Sequence, residues 1–198
     1  MKVLVACEYS GVVRDAFTKL GHDAISVDFL PSESPGNHII GDVLNVINSQ
    51  HFDMMIAHPP CTYLTNSGVV WLHKDSSRWN KLDEACEFFK TLLDAPIARI
   101  CVENPIPHKY AVERISETYT QCIQPWMFGH METKATCLWL KGLCRLTPTS
   151  NLKAETWKLP DRIRQRGHYL GPAPDRWKER SRTYQGIAAA MADQWGKE

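Results

Sequence analysis

Long apolar runs are missing: no window of the 198 residues approaches the roughly 18 consecutive apolar positions a membrane-crossing helix requires. Neither a CxxC pair nor an HExxH occurs, which argues against a zinc centre, and no metal is expected. The seven cysteines are odd in number and irregular in spacing, and several lie inside apolar runs. That pattern reads as reduced, mostly buried thiols of a cytosolic protein, not as a disulfide framework. Internal repeats and low-complexity tracts are absent. Net charge is almost nil, 23 basic residues against 22 acidic ones giving +1. The opening MKVLVACEYSG has one Lys before a short apolar run and then turns polar, so it reads as a first strand and not as a signal peptide.

What is present suits one globular domain: 43% of residues are hydrophobic, with seven Trp, six Tyr and six Phe to fill a core or stack on a ligand. The charge is unevenly spread. Residues 151–182 hold nine Lys and Arg against four acids, a local +5, which leaves −4 for the rest. A block of this kind suits either polyanion docking or a solvated face.

Short apolar runs alternate with helix-like stretches through the first half, as in parallel α/β proteins. KVLVAC (2–7) and DAISVDF (23–29) read as strands around an amphipathic helix at 11–21 that Gly21 stops. HIIGDVLNV reads as a short strand followed by a turn. FDMMIAHPPC (52–61) is a strand ended by two prolines, which cannot continue a ladder. A helix is expected over 79–94, strands over 98–105 and 137–143, and a closing helix over 183–195. The stretch 145–182 reads as an irregular basic insertion in a single domain spanning 1–198.

Ligands of open parallel sheets collect beyond the C-terminal strand ends. Glu8, Ser10 and Gly11, then Asp28, Asp42, Pro60 with Cys61, and Glu103 with Asn104 all fall at such ends. In EYSG (8–11), a small residue and a glycine let the backbone approach a ligand, although many strand–helix turns look alike. Asp28 is placed to hold ribose hydroxyls, and Asp42 either accepts from an adenine amine or makes a simple Asx turn. Cys61 follows a Pro-Pro pair that aims its side chain into the crevice. Its neighbours Pro60, Thr62 and Asn66 are not core-like, so it reads as a nucleophile, unlike Cys7, Cys86, Cys101, Cys122 and Cys137, which read as small core residues. Glu103 closes the apolar run ICVE and needs a partner there. Held protonated, it would donate to a ring nitrogen and accept from an exocyclic amine, as a cytosine demands; an internal Arg or Lys is the structural alternative.

Taken together, these residues resemble the C5-cytosine-specific DNA methyltransferase family, in the compact form found in phage and prophage genomes. DMMIAHPPCTYLTNSG (53–68) is similar to that family's nucleophile motif, and VENP (102–105) to its Glu-Asn motif. The first strand with YSG, then Asp28, then GDV (41–43) follow the order of its cofactor motifs; ETKATCLWL (132–140) and SRTYQGIAAAMADQW (181–195) resemble two later ones. The resemblance implies a Rossmann-like, mostly parallel sheet flanked by helices, the class I S-adenosylmethionine-dependent methyltransferase fold. It implies S-adenosyl-L-methionine held by Glu8, Tyr9, Ser10 and Gly11, by Asp28 with Phe29, by Asp42 with Val43, and by Pro60. Cys61, Glu103, Asn104 and Lys134 become the catalytic set, with Lys134 and Thr136 beside the target. The sequence departs from the family in three respects. Its Gly-rich first motif is reduced to Gly11, Thr62 follows the nucleophile where Gln is usual, and only about 36 residues occupy the place of a large target-recognition domain.

The implied chemistry is Cys61 attack on C6 while Glu103 binds N3 and the amino group, followed by methyl transfer to C5. DNA, duplex or single-stranded, is the expected partner, with Arg162, Arg164 and Arg166 on its phosphates. The expected protein is a monomer or weak dimer in a bacterial cytoplasm, with no membrane partner. Modification of a free pyrimidine nucleotide, a group other than plain methyl, and a silent nucleic-acid-binding protein on the same scaffold are the competing readings.

Overall fold

The computed structural model describes residues 1–197. Strands β1 (Lys2–Ala6), β2 (Asp23–Asp28), β3 (His38–Ile40), β4 (Met54–Ala57), β5 (Arg99–Pro105), β6 (Gln121–Ile123) and β7 (Thr136–Lys141) form one sheet in the order β3-β2-β1-β4-β5-β7-β6. The first five pair in parallel, and β7 runs antiparallel to both of its neighbours. The expected Rossmann-like, mostly parallel sheet flanked by helices is the observed fold. The C-terminal ends of β1 to β5 accordingly share one edge.

Both faces are covered, which is why β1, β4 and β5 are nearly continuous apolar runs and not alternating ones. Leu4, Ala6, Met55, Ile100 and Val102 face one core, shared with α2 (Val43–Ser49), α3 (Ser77–Leu93) and α4 (Lys109–Ile115). Val3, Val5, Met54, Ile56 and Cys101 face the other, closed by α1 (Val12–Lys19) and α9 (Gln185–Trp195). Side chains alternate along a strand, so His58 and Glu103, each two residues beyond Ile56 and Cys101, belong to the α1/α9 face. Trp195, the largest fully buried side chain, anchors α9 there, with its indole N–H donating to the Cys144 carbonyl at 3.0 Å.

Three expectations need correction. GDVLNV is a strand end followed by the helix α2, not by a turn: Asp42 accepts from the Leu44 N–H at 2.9 Å, and Val43, Val46 and Ile47 are buried along one side. The basic insertion is not irregular, because it contains α5 (Lys153–Lys158), α6 (Asp161–Arg164), α7 (Arg166–Tyr169) and α8 (Arg176–Ser181). Helix α4 and strand β6 lie in a stretch for which the sequence suggested no element. Among the described residues no helix is long and apolar enough to cross a membrane, and no cluster of metal-ligating side chains occurs.

Candidate active site

Strand β4 stops at Ala57 because Pro59 and Pro60 carry no N–H for the ladder. The chain then turns, and the Cys61 carbonyl accepts from the Leu64 and Thr65 amides at 3.0 and 3.2 Å. Beyond β5 the chain is stitched to this turn: His108 N–H donates to the Leu64 carbonyl, Asn66 N–H to the Ile106 carbonyl, and Thr65 bridges Pro107. The His108 ring also contacts the Tyr63 carbonyl at 2.8 Å. Asn104, buried, donates to the Pro105 carbonyl at 2.7 Å and holds the segment that follows Glu103. The turn carrying Cys61 and the strand end carrying Glu103 are thus fastened together by backbone. Their charges interact: burial pushes the Cys61 thiol above its ordinary 9.0, Glu103 adds to the rise, and Lys134 and Arg180 pull it down. Lys134 therefore favours the thiolate without overcoming burial.

The partner of Glu103 is neither the Arg nor the Lys considered above but His58. The β4–β5 register pairs Ile56 with Cys101, and two residues on it sets His58 beside Glu103. His58 Nδ1 lies 3.4 Å from Glu103 Oε1, an ion-pair separation longer than an ordinary hydrogen bond. The His58 ring keeps 10% of its side-chain surface and Glu103 21%. Burial disfavours a charged His58, yet the carboxylates of Glu103 and Glu8 outweigh it and move it up from 6.5. Burial likewise raises Glu103, but His58 and Lys134 prevail and hold it below 4.5. Both displacements favour an ionised Glu103 beside a charged His58 over a protonated acid. His58 was the missed residue; a histidine ending a buried strand needs a polar partner, and that was the available signal.

His58, Glu103, Lys134 and Thr136 line a cavity of about 10 Å³ whose other wall is Thr183, Tyr184, Ile187 and Met191, room for about one water. Thr136 is buried and donates to the Lys134 carbonyl at 3.3 Å. Lys134 Nζ donates to the Arg180 carbonyl at 2.7 Å; burial lowers its pKa from 10.5, opposed by Glu103 and Cys61.

Across the edge, β1, β2 and β3 build a second half-site. Cys7, at φ 57, turns the chain out of β1, and its thiol is pushed up to about 12 by burial and by the carboxylates of Asp28 and Asp42. Those acids therefore converge. Each gives one oxygen to a local turn, Asp28 to Leu30 N–H and Asp42 to Leu44 N–H, both at 2.9 Å. Phe29 and Ile40 stand beside them with 74% and 62% of their surface open. Exposed apolar surface flanked by two carboxylates is a setting that can hold a nucleoside.

In the EYSG turn the side chains are engaged internally. Glu8 is buried and accepts from Val13 and Arg14 N–H at 2.7 and 3.2 Å, so its own carboxylate occupies the α1 N-terminus. Ser10 donates to Glu8 at 3.2 Å. Gly11 is favoured by its left-handed φ of 76 and by Arg14, whose guanidinium would lie 2.5 Å from a Cβ there. Tyr9 is buried, tilted against Trp177 at 5.5 Å, with its hydroxyl on the Lys178 carbonyl and Ser181 Oγ at 3.0 Å. Val43 is turned into the core, whereas Pro60 is exposed. Among the insertion arginines, Arg164 pairs with Asp161 at 2.5 Å and Arg166 with Glu132 at 3.2 Å and Glu179 at 3.7 Å. Arg162 is exposed and has no ion pair among the described residues.

No family model matches the sequence, and no curated protein does. Solved structures do. One, named as a DNA modification methyltransferase encoded within a prophage of E. coli, is 17% identical with a TM-score of 0.48, over 81% of this chain and 56% of that one. Another, the Entamoeba histolytica methyltransferase EhMeth, is 14% identical with a TM-score of 0.49, over 76% of this chain and 57% of that one. The chain spans just over half the length of each. Likeness at this level says nothing of chemistry, which rests on the side chains above.

Proposed function

We propose that the chain is an S-adenosylmethionine-dependent methyltransferase acting on C5 of cytosine in DNA, with Cys61 as the attacking group. The observation that carries this reading is the fastening of the Cys61 turn to the Glu103 strand end, within electrostatic reach of each other and of Lys134. Cytosine C5 is a poor nucleophile until electrons are added to the ring. The Cys61 thiolate adds to C6, and the π electrons move toward N3 and C5. Glu103 binds the N3 and amino edge and stabilises the developing enamine. The cavity beside Glu103 is too small for a pyrimidine, so the base reaches the carboxyl from its open side. Asn104 fixes the strand end, and Lys134 draws the thiol toward ionisation.

The cofactor would lie on Phe29 and Ile40, its hydroxyls and amine on Asp28 and Asp42, where it supplies an electrophilic methyl group. Tyr9, Ser10, Gly11 and Glu8 form the neighbouring turn, where the side chains of Glu8, Tyr9 and Ser10 are held internally and the backbone is what remains to meet the cofactor. A duplex target has to be flipped out of the stack, which costs a few kcal/mol.

Mass spectrometry of nucleosides from the DNA of cells expressing the chain tests the reading. 5-Methylcytosine is expected with the wild type and not with Cys61→Ala. Modification confined to the nucleotide pool would replace DNA with the free nucleotide as substrate. Equal modification by Cys61→Ala would remove the thiol from the chemistry.

A further inference from the structure

We infer that His58 is a positioning and proton-supplying residue for Glu103, the two holding one proton that passes to the pyrimidine N3 when Cys61 adds to C6. The inference rests on the function proposed above and deepens it.

Three observations place it. The β4–β5 register delivers His58 to the same sheet face as Glu103, with Nδ1 3.4 Å from Oε1. His58 is nine-tenths buried, and among the described residues neither ring nitrogen has a hydrogen-bond partner, so the 3.4 Å ion-pair contact of Nδ1 with Glu103 is its one close approach to a carboxylate. The ring lines the same small cavity as Glu103 and Lys134. Of the carboxylates facing this buried imidazole, Glu103 is the one within ion-pair distance and so the direct acceptor for its proton. The charged groups facing it are Glu103 from β5, Glu8 from the turn after β1, and Lys134 before β7. From α9 and the residue before it come only Ile187, Met191 and Tyr184, the last with its hydroxyl held by Glu132 at 2.8 Å.

The proton balance follows. Cys61 loses its proton to solvent, the Sγ–C6 bond forms, and the C5=C6 π pair shifts into the ring. His58 Nδ1 passes its proton to Glu103, which hands the same proton on to N3, so His58 ends neutral and Glu103 ends ionised. When Sγ–C6 breaks, the double bond re-forms and the proton returns by the same route. The rest state, imidazolium beside carboxylate, is the one favoured by the opposite pKa displacements of the two groups. Acid–base assistance of this kind contributes about 100-fold or more.

The test needs no cofactor. Reversible addition at C6 exposes C5 to solvent protons, so a cytosine oligonucleotide in deuterated water exchanges its C5 hydrogen, read by mass spectrometry across pH. Loss of the pair's proton sets the alkaline limb of that profile. His58→Gln is expected to move this limb to lower pH and slow exchange about 100-fold at pH 8, with the acid limb, set by the thiol, unmoved. A wild-type profile in His58→Gln overturns the role of His58 and leaves the Cys61 reading standing. Absence of exchange in the wild type overturns the Cys61 reading, and the inference with it. Should His58→Gln fail to fold, ¹⁵N-histidine NMR of the wild type and Glu103→Gln decides. His58 is expected to titrate above 6.5 in the first and lower in the second; titration at or below 6.5 in the wild type overturns the inference.

Discussion

Arg14 shows how much of the cofactor half-site one side chain supports. It is fully buried, and its guanidinium reaches Ser26 at 3.2 Å, Ser32 at 3.1 Å, and the carbonyls of Ser34 and Pro35 at 3.1 and 3.0 Å, beside Asp15 at 2.7 Å. It pins the loop after β2 that leads from Phe29 to β3. Arg14→Ala strands these acceptors and is expected to lower unfolding free energy by about 3–5 kcal/mol in a urea titration. Arg14→Lys is expected to recover little, because one ammonium cannot reproduce the planar fork. A loss within the range of an exposed substitution would show that the loop is held otherwise. Nothing in the sequence singled out Arg14, and the one signal for His58 was its place at the end of a buried strand. Their partners are chosen by strand register and by a loop folded back from the next strand. Cys61, Glu103, Asp28 and Asp42 were legible because Pro-Pro, strand ends and apolar runs mark them locally.

Helix α8 is the element that most alters the picture. Tyr9 meets Trp177, Lys178 and Ser181; Lys134 is tied to Arg180; Arg182 pairs with Glu33. A six-residue helix thus straps the turn after β1, the loop after β2 and the approach to Cys61. Tyr9→Phe removes the hydroxyl contacts and keeps the ring. It is expected to cost about 1 kcal/mol of stability while amide hydrogen exchange rises selectively over residues 176–182. Unchanged exchange there would mean that Trp177 alone holds the strap. The sheet was readable from its apolar runs. The short helices α5 to α8 were not, since their charges and prolines show no lasting period, and each is held by contacts distant in sequence. Helix α2 was misread because Gly41-Asp42 resembles a turn, although Val43, Val46 and Ile47 already carry helical spacing.

At the scale of the molecule, part of the positive segment is internal wiring. Arg164, Arg166 and Arg182 hold acids, while Arg162 and Arg180 lead toward solvent. If Arg162 touches a duplex phosphate, Arg162→Ala flattens the slope of log affinity against log salt by about 0.9. Arg164→Ala is expected to flatten it by far less, because its charge is already neutralised by Asp161. Equal effects from the two would place the DNA elsewhere on the surface. The proposed reaction turns on a bond between the Cys61 sulfur and C6 of a pyrimidine. The direct measurement is denaturing mass spectrometry after incubation with S-adenosylmethionine and an oligonucleotide containing 5-fluorocytosine, whose fluorine cannot leave as a proton does. The expected product is one stable protein–DNA adduct on the peptide containing Cys61, absent from Cys61→Ala. No adduct, or one on a different cysteine, would contradict it.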